Sequence, residues 1–333
     1  MTMVFDVALR EALRDRRRRL KVALQESGTR TELVRLVRDV DGALDRLDRG
    51  TFGLCDSCHD PIEVERLLVD PFLCTCLDHL SPNEQRALEH DLGLAAQVQG
   101  ALLPRPDVVI PGFDIAFHSD PAGAVSGDYF DLIPPGPGRR EALLVLGDVV
   151  GKGLAAAMLG SRLHAIFRSL AAIGLPVGEL VGRANAIFCG NILSAHYSTV
   201  VCVEADAQGR VAFSNAGHLP VLAAVAGAVR ELGRTGLPLG LFCSTGYATG
   251  SLQLERGDTL LFYTDGLSEA RDRANLEYGP ERVQRLLEQH RKSDAHALVD
   301  ALIEDLRTFR EGAPHTDDVT ILAARYVGPE RRT

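Results

Sequence analysis

Aspartates stand beside turns at four places in the C-terminal part of the chain. Three predicted strands end in an aspartate that a turn follows: Asp128 in VSGDYFD, Asp148 in LVLGDVVGKG and Asp265 in LLFYTDG. Asp317 and Asp318 lie just before a further apolar run, in HTDDVTILAA. Carboxylates at strand ends can converge above a sheet, where they are costly unless they hold cations. Ligation by oxygen alone suits Mg²⁺ or Mn²⁺, so the set predicts a metal site.

A turn is the simpler explanation for each of these motifs taken alone. Asp-Gly is a common turn pair, and a single such motif is more often a turn than a metal ligand. The prediction of a metal site therefore rests on the set of aspartates and on no single member.

A second group of candidate ligands lies in LCDSCHDPIEVERLLVDPFLCTCLDHL, nearer the N-terminus. Cys55 and Cys58 form a C-x-x-C pair, whose turn directs both sulfurs to one side, as tetrahedral zinc requires. Cys74 and Cys76 alternate along the chain, and in an extended segment this spacing closes a tetrahedron poorly. Cys76 and His79 share one face if a helical turn begins there. We therefore predict one Zn²⁺ bound by Cys55, Cys58, Cys76 and His79, with Cys74 as the alternative ligand; a degenerate finger without metal is the competing interpretation.

The composition is that of an ordinary soluble globular protein, and 333 residues suffice for two or three domains. The net charge of -9 argues weakly against nucleic acid as the main partner. No apolar run approaches the ~18 residues of a membrane span, and charges interrupt the N-terminal apolar stretch, unlike a secretory signal. Four of the seven cysteines crowd into one segment, whereas Cys189, Cys202 and Cys243 are expected to be buried thiols. This is not a secreted disulfide framework, so we predict a cytoplasmic protein.

The N-terminal part predicts helices on both sides of the cysteine segment. Residues 1–50 are expected to form a helical hairpin, with a break at Glu26–Gly28 and a clear apolar stripe in the second arm. Ser81 and Glu84 form a capping box at the start of a predicted helix, 81–103, whose heptad seam must pack on the C-terminal domain or on a second copy of the chain. We expect the second copy and a homodimer. The predicted division is 1–80 for the hairpin and finger, 81–106 for the linker helix and 107–328 for the C-terminal domain.

From about residue 107 onwards, short β-branched or apolar runs are interspersed with helical stretches. Several strands follow one another without an intervening helix, which favours an α+β fold with antiparallel sheets over a doubly wound parallel fold. The predicted strands are 142–149, 198–206, 210–217, 259–266 and 319–327, and the predicted helices are 154–172, 177–193, 280–291 and 294–310.

Six motifs follow one another in this region: SGDYFD, GDVVGKGLAAAM, SNAGHLPVL, LPLG, FYTDGLSEA and TDDVTILAAR. In this order they resemble the SpoIIE/RsbU-type branch of the PPM metal-dependent phosphatases, over about residues 85–328. The resemblance implies an α-β-β-α sandwich of two antiparallel sheets, which agrees with the strand order. It also implies a Ser/Thr protein phosphatase in which hydroxide activated by two Mn²⁺ or Mg²⁺ ions attacks a phosphorylated protein. The usual substrate in this branch is a phosphorylated anti-anti-sigma factor of the STAS type.

The resemblance implies a role for each aspartate. Asp148 would bridge both ions, with the backbone carbonyl of Val149 on one of them. Asp128 would act at one ion or through water, and Asp318 would support the ligands or bind directly. The set implied for catalysis and metal binding is Asp128, Asp148, Val149, Asp265, Asp317 and Asp318.

Two positions depart from the family pattern. Lys152 stands where histidine is usual, and it can meet a phosphate or serve the loop. Ser126 stands where glycine is usual, which is a small change. Neither replaces a metal carboxylate, so we expect an active enzyme. His218 lies in a family motif and is expected to order a turn, and His315 is a weaker candidate proton donor.

The motifs ALDRLDRGTFGLCDSC and IEVERLL, followed by a proline, resemble the DksA/TraR-type zinc finger over residues 40–80. Counted from Pro71, the second ligand pair of that family falls on Cys76 and His79. A long coiled coil of that family enters RNA polymerase, so the alternative function is an RNA polymerase-associated binding protein with the phosphatase domain as sensor. The arms here are short and their tip, 25–29, has a single acid, so a regulatory module for the phosphatase is preferred.

Overall fold

The chain forms two compact units, residues 1–90 and 91–333. The computed structural model describes residues 2–27, 31–63, 66–67, 70–190 and 196–329. The boundary between the units falls inside a helix, α3, which spans Pro82–Gly100. The finer division at residues 80 and 106 stays a prediction.

The first unit contains the predicted helical hairpin. Helix α1, Thr2–Ser27, and helix α2, Thr31–Arg49, run antiparallel, because Arg10 near the start of α1 donates to the carbonyl of Leu47 near the end of α2 at 3.1 Å. The predicted tip at 25–29 lies partly outside the described residues. Apolar side chains fill the space between the two helices: Leu13, Val40, Ala43, Leu44 and Leu47.

Helix α3 begins as its sequence predicts. The backbone N–H of Ser81 donates to Glu84 Oε2 at 2.9 Å, and that of Glu84 donates to Ser81 Oγ at 3.3 Å, which confirms the capping box. All of α3 is described, and none of its side chains is buried. Leu88 and Val98 are among the exposed apolar residues. The pairing of this helix with a second copy stays a prediction.

The second unit is built on two five-stranded sheets. The strands are β1 Phe113–Asp120, β2 Asp128–Ile133, β3 Ala142–Val149, β4 Ser198–Ala205, β5 Arg210–Ala216, β6 Val221–Val225, β7 Ala228–Leu232, β8 Gly250–Gln253, β9 Thr259–Tyr263 and β10 Val319–Tyr326. The first sheet has the order β1-β10-β9-β6-β7 and the second β2-β3-β4-β5-β8. All the paired neighbours run antiparallel, as predicted.

Helices cover the outer face of each sheet. They are α4 Gly153–Ala171, α5 Val177–Cys189, α6 Asp265–Ser268, α7 Pro280–Gln289 and α8 Ala295–Arg310. The inner faces of the two sheets share one apolar core, α4 and α5 pack on the second sheet, and α7 and α8 pack on the first. This layering confirms the predicted α-β-β-α sandwich. Among the described residues, no helix combines the length and the apolar character needed to cross a membrane.

The predicted strands and β2 show where the sequence pattern works and where it fails. Strands β3, β4, β5, β9 and β10 begin at the predicted residues. The prediction that Asp128 ends a strand is wrong, because Asp128 is the first residue of β2. The strand carries a second acid, Asp131, and both acids are buried. Because two of its residues are acids, the sequence of β2 does not look like that of a buried strand.

Asp131 fastens helix α4 to strand β2. It is 2% exposed, and Arg168 on α4 donates to its two carboxylate oxygens at 2.6 and 2.8 Å. Nε2 of His164, one turn earlier, lies 3.2 Å from the same carboxylate. Burial opposes ionisation, but hydrogen bonds from His164 and Arg168 outweigh it and hold the pKa of Asp131 below its ordinary value.

Removal of this carboxylate should weaken the domain. We expect Asp131→Ala to lower the free energy of unfolding by about 2–4 kcal/mol, which is the cost of breaking a buried ion pair, reduced because Arg168 is half exposed. Since the folded-state pKa of Asp131 is lowered, its contribution is present at neutral pH and is lost as the pH falls through that value. Urea denaturation at several pH values measures the difference.

A matched control is the exposed pair of Glu304 and Arg307 on helix α8, whose atoms lie 2.8 Å apart. Glu304→Ala should leave the free energy of unfolding almost unchanged, because solvent screens this pair. Equal losses in the two variants would contradict the importance assigned to Asp131.

Candidate functional site

Asp128 and Asp148 are direct partners in the register of β2 and β3. Their side chains therefore share one face of the sheet. Asp128 is 6% exposed, and its Oδ2 accepts hydrogen bonds from Thr264 Oγ1 at 2.8 Å and from Thr320 Oγ1 at 2.7 Å. Burial, and then the charge of Asp148, raise the pKa of Asp128 well above its ordinary value.

Asp148 lies close to the other acids, and their negative charges act on its carboxylate. Burial, followed by the charges of Asp265 and Asp317, raises its pKa to about 7. Its backbone carbonyl accepts a hydrogen bond from Ser198 Oγ at 2.8 Å. The next residue, Val149, is 1% exposed. This segment of β3 is therefore held firmly while its carboxylate stands among like charges.

Asp265 is the first residue of α6, directly after β9 and the linking Thr264. Burial and the charge of Asp317 raise its pKa. Gly266 is required here, because a Cβ at this position would overlap the backbone carbonyl oxygen of Asp318. The glycine thus allows the segment that carries Asp317 and Asp318 to approach Asp265.

Asp317 and Asp318 make different contacts. Both oxygens of Asp318 accept backbone N–H groups, Oδ1 from Ala122 at 2.8 Å and Oδ2 from Gly127 at 2.7 Å. Asp317 is half exposed, and its Oδ2 lies 3.2 Å from Nζ of Lys152. Asp318 therefore organises the loop before β2, whereas Asp317 faces a cation.

The two histidines lie in different surroundings. His218 is 3% exposed, its Nδ1 lies 2.8 Å from Thr199 Oγ1, and burial lowers its pKa to about 4. It is therefore neutral at physiological pH and orders the segment around it. His315 Nδ1 lies 3.6 Å from Asp120 Oδ2.

The comparison with known proteins identifies the family. Residues 138–327, more than half of the chain, match the family described as Stage II sporulation protein E (SpoIIE). The chain belongs to the SpoIIE family. The phosphoserine phosphatase RsbU of Bacillus subtilis (strain 168) is 25% identical to this SpoIIE-family chain over 244 residues, which cover 72% of this chain and 71% of RsbU.

Solved structures agree with this fold. The SiaA-PP2C domain of Pseudomonas aeruginosa matches this SpoIIE-family chain with a TM-score of 0.64 and 22% identity, over 73% of this chain and 98% of that one. The RsbU and RsbW domains of Rv1364c from Mycobacterium tuberculosis match with a TM-score of 0.57 and 31% identity, over 68% of this chain and 62% of that one. The second unit therefore has the PP2C-type fold.

Three hydroxyl side chains of this SpoIIE-family site are absent from the sequence prediction. Thr264 and Thr320 hold the carboxylate of Asp128, and Ser198 holds the carbonyl of Asp148. A threonine one or two residues from an acid at a strand end is the signal that could have indicated the first two. Ser198 carries no comparable signal, because only the register of β3 with β4 brings it to Asp148.

A cleft of about 320 Å³ opens beside Asp317 and Asp318. Lys152 lines it, with the apolar side chains of Val125 and Leu154. The Lys152 side chain is 67% exposed. The cleft therefore presents an exposed cation and apolar surface next to the carboxylates.

In the first unit, the four predicted zinc ligands lie together. The ligand atoms of Cys55, Cys58, Cys76 and His79 are all within 4.8 Å of one another. The Sγ atoms of Cys58 and Cys76 are 3.7 Å apart, and Cys76 Sγ lies 3.2 Å from His79 Nδ1. A short 3-10 turn, Leu77–His79, brings the histidine back to Cys76, as the spacing of three predicts.

Cys74 lies apart from this cluster, and the pKa of its thiol shifts in the opposite direction from that of Cys55. The backbone N–H of Cys76 is the main cause that lowers the pKa of Cys55 to about 6. Burial, in contrast, is the main cause that raises the pKa of Cys74, which lies outside the group of four. This arrangement suits the predicted ligand set better than the alternative that uses Cys74.

The three remaining cysteines are not all buried, contrary to expectation. Cys202 is buried in β4, Cys189 is partly buried and Cys243 is exposed. The apolar neighbours of Cys243 in the sequence do not bury it, because they lie in a surface loop in which Leu241 and Phe242 are themselves exposed.

Crowding of the carboxylates should destabilise the protein when a chelator is present. We expect Asp265→Asn to raise the free energy of unfolding in EDTA by about 1 kcal/mol, or the melting temperature by about 2–4 °C, because it removes one of the repelling charges. Differential scanning calorimetry measures this shift. Asp300→Asn, at an exposed position of α8, is the matched control and should leave the melting temperature unchanged. A lower melting temperature for Asp265→Asn would contradict the repulsion.

Proposed function

We propose that this protein is a metal-dependent Ser/Thr protein phosphatase whose reaction takes place at Asp128, Asp148, Asp265 and Asp317. The observation that carries the proposal is that burial and neighbouring acids raise the pKa of Asp128, Asp148 and Asp265. Like charges concentrated in this way are stabilised by bound cations. Membership of the SpoIIE family and the PP2C-type fold support the same reaction.

The donors of this site fit two Mn²⁺ or Mg²⁺ ions. Carboxylate and carbonyl oxygens, with water in the remaining positions, are the ligands that these hard ions prefer. We assign ligation to Asp148, Asp265 and Asp317, to the backbone carbonyl of Val149, and to Asp128 directly or through water. Two ions bound there would supply hydroxide near neutral pH and neutralise the charge that develops on the phosphoryl oxygens.

Hydrogen bonds of the chain hold these donors in place. Oδ2 of Asp128 accepts hydrogen bonds from two hydroxyl groups, which fix the carboxylate in one orientation. We assign its Oδ1 to the metal or to a metal-bound water. Both oxygens of Asp318 accept backbone N–H groups, so we assign Asp318 to positioning rather than to direct ligation. The ligands are thereby preorganised.

Lys152 is the group that we assign to the phosphate of the substrate. Its ammonium lies 3.2 Å from Asp317, at the cleft of about 320 Å³, and its side chain is exposed. The exposed Leu154 offers an apolar contact to residues that flank a phosphoserine. Because the relative RsbU is a phosphoserine phosphatase, we propose a phosphorylated protein as substrate, and a STAS-type anti-anti-sigma factor in particular.

We propose that the first unit is a regulatory module that binds one Zn²⁺. Three sulfurs and one imidazole nitrogen within 4.8 Å of one another fit tetrahedral zinc. The free cysteines suit a cytoplasmic location. The exposed Leu88 and Val98 support pairing of α3 in a homodimer.

Loss of either of two metal carboxylates should abolish catalysis. We expect Asp148→Asn and Asp265→Asn to reduce Mn²⁺-dependent phosphate release from a phosphoserine protein by about 100-fold or more, because several kcal/mol of charge stabilisation are lost. The exposed Asp300→Asn should keep full activity. Circular dichroism checks that all the variants are folded, and retained Mn²⁺-dependent turnover in both carboxylate variants would refute the metal assignment.

The zinc ligands can be tested by metal content. Purified wild type and Cys74→Ser should each contain one Zn²⁺ per chain, because Cys74 lies outside the group of four. Cys76→Ser should lose it, because Cys76 contacts both Cys58 and His79. Plasma emission spectrometry measures the content. Zinc in Cys76→Ser together with its absence in Cys74→Ser would favour the alternative ligand.

A further inference from the structure

Two cysteines outside the finger are neighbours near the end of helix α5. Cys189 is the last residue of α5, and Cys243 lies in the loop that follows Leu239. Asn185, one turn before Cys189, is fully buried. Its side chain connects the helix to this loop and thereby determines how close the two cysteines lie.

Asn185 holds both partners through its amide. Its Nδ2 donates to the carbonyl of Phe242 at 2.8 Å, and its Oδ1 accepts the backbone N–H of Gly240 at 2.9 Å. The thiol of Cys189 donates to the same Oδ1 at 3.8 Å. Since Cys243 is bonded directly to Phe242, one side chain contacts the thiol of Cys189 and the backbone beside Cys243.

The surroundings of the two thiols are complementary. Cys243 is exposed, whereas Cys189 is partly buried. Burial, and then the neighbouring thiol of Cys243, raise the pKa of Cys189 to about 11. Because Cys243 is exposed, an oxidant in solution reaches it first. Cys189 is the neighbouring thiol that can then attack the oxidised sulfur.

We propose that Cys189 and Cys243 are a modification site at which a hydroperoxide forms an intramolecular disulfide. Cys243 sulfur attacks one peroxide oxygen, the O–O bond breaks, and sulfenic acid and water form when hydrogen peroxide is the oxidant. Cys189 sulfur then attacks the sulfenic sulfur, the S–O bond breaks, and the hydroxyl leaves as water with the proton of the Cys189 thiol. In total two thiols lose two electrons and two protons, and one peroxide becomes two waters.

The disulfide would reach the aspartate site through a short set of hydrogen bonds. The loop that carries Cys243 begins after Leu239, whose backbone exchanges two hydrogen bonds with Ser198, at 2.8 and 2.9 Å. Ser198 Oγ in turn donates to the carbonyl of Asp148 at 2.8 Å. The disulfide would therefore fix this loop to α5, and the loop supports Asp148 through Ser198. The disulfide itself does not depend on the proposed phosphatase activity.

The test is disulfide mapping on the full chain. Reduced protein is treated with hydrogen peroxide, alkylated, and digested with chymotrypsin, which cleaves after Tyr197 and so separates Cys189 from the buried Cys202. Mass spectrometry should find peptides that join Cys189 to Cys243, and dithiothreitol should release them. The oxidised protein should stay monomeric on a non-reducing gel and melt about 5–10 °C higher, since the bond closes a long loop.

Variants keep the proposal falsifiable. Cys189→Ser and Cys243→Ser should each lose the linked peptides and the shift in melting temperature, and Cys202→Ser should keep both. Oxidation of Cys243 to sulfinic acid in the wild type without a link to Cys189 would overturn the proposal. A link from Cys243 to a second chain, or to a cysteine of the finger, would overturn it as well.

Discussion

Repulsion between carboxylates held at one place is the constraint on which the second unit depends. Asp128 and Asp148 are register partners in one sheet, and Asp265 and Asp317 come from the ends of strands in the other. Burial of the apolar core between the sheets must offset this repulsion during folding. Hydroxyl and backbone N–H donors reduce the cost further at Asp128 and Asp318, but they leave Asp148 among like charges.

Much of this arrangement could be predicted from the sequence because it depends on local patterns. Buried strands such as β3 are continuous apolar runs, and the spacing of Cys76 and His79 fits one turn of helix. What could not be predicted depends on distant partners. Asp128 can lie in a buried strand because Thr320 of the other sheet donates to its carboxylate. Asp131 can lie there because Arg168 pairs with its charge. No pattern within β2 contains that information.

Thiols in this chain show how surroundings decide chemistry more than residue type does. Backbone N–H groups favour the thiolate of Cys55, as a metal ligand requires. Cys202 is enclosed in β4, and burial raises its pKa, so it is inert. Cys243 lies in a surface loop tied to α5 through Asn185, which gives it a nearby partner. The same side chain therefore lies in three distinct surroundings in one protein.

The hydroxyl contacts of Asp128 have a consequence for the order in which the molecule assembles. Asp128 belongs to the second sheet, whereas Thr320 lies in a strand of the first and Thr264 follows another. Neither sheet alone can hold this carboxylate in its final orientation. Docking of the two sheets and completion of the aspartate cluster are therefore one folding event, so an intermediate with only one sheet formed lacks the cluster. The orientation of Asp128 thus reports directly on native sheet-to-sheet contact.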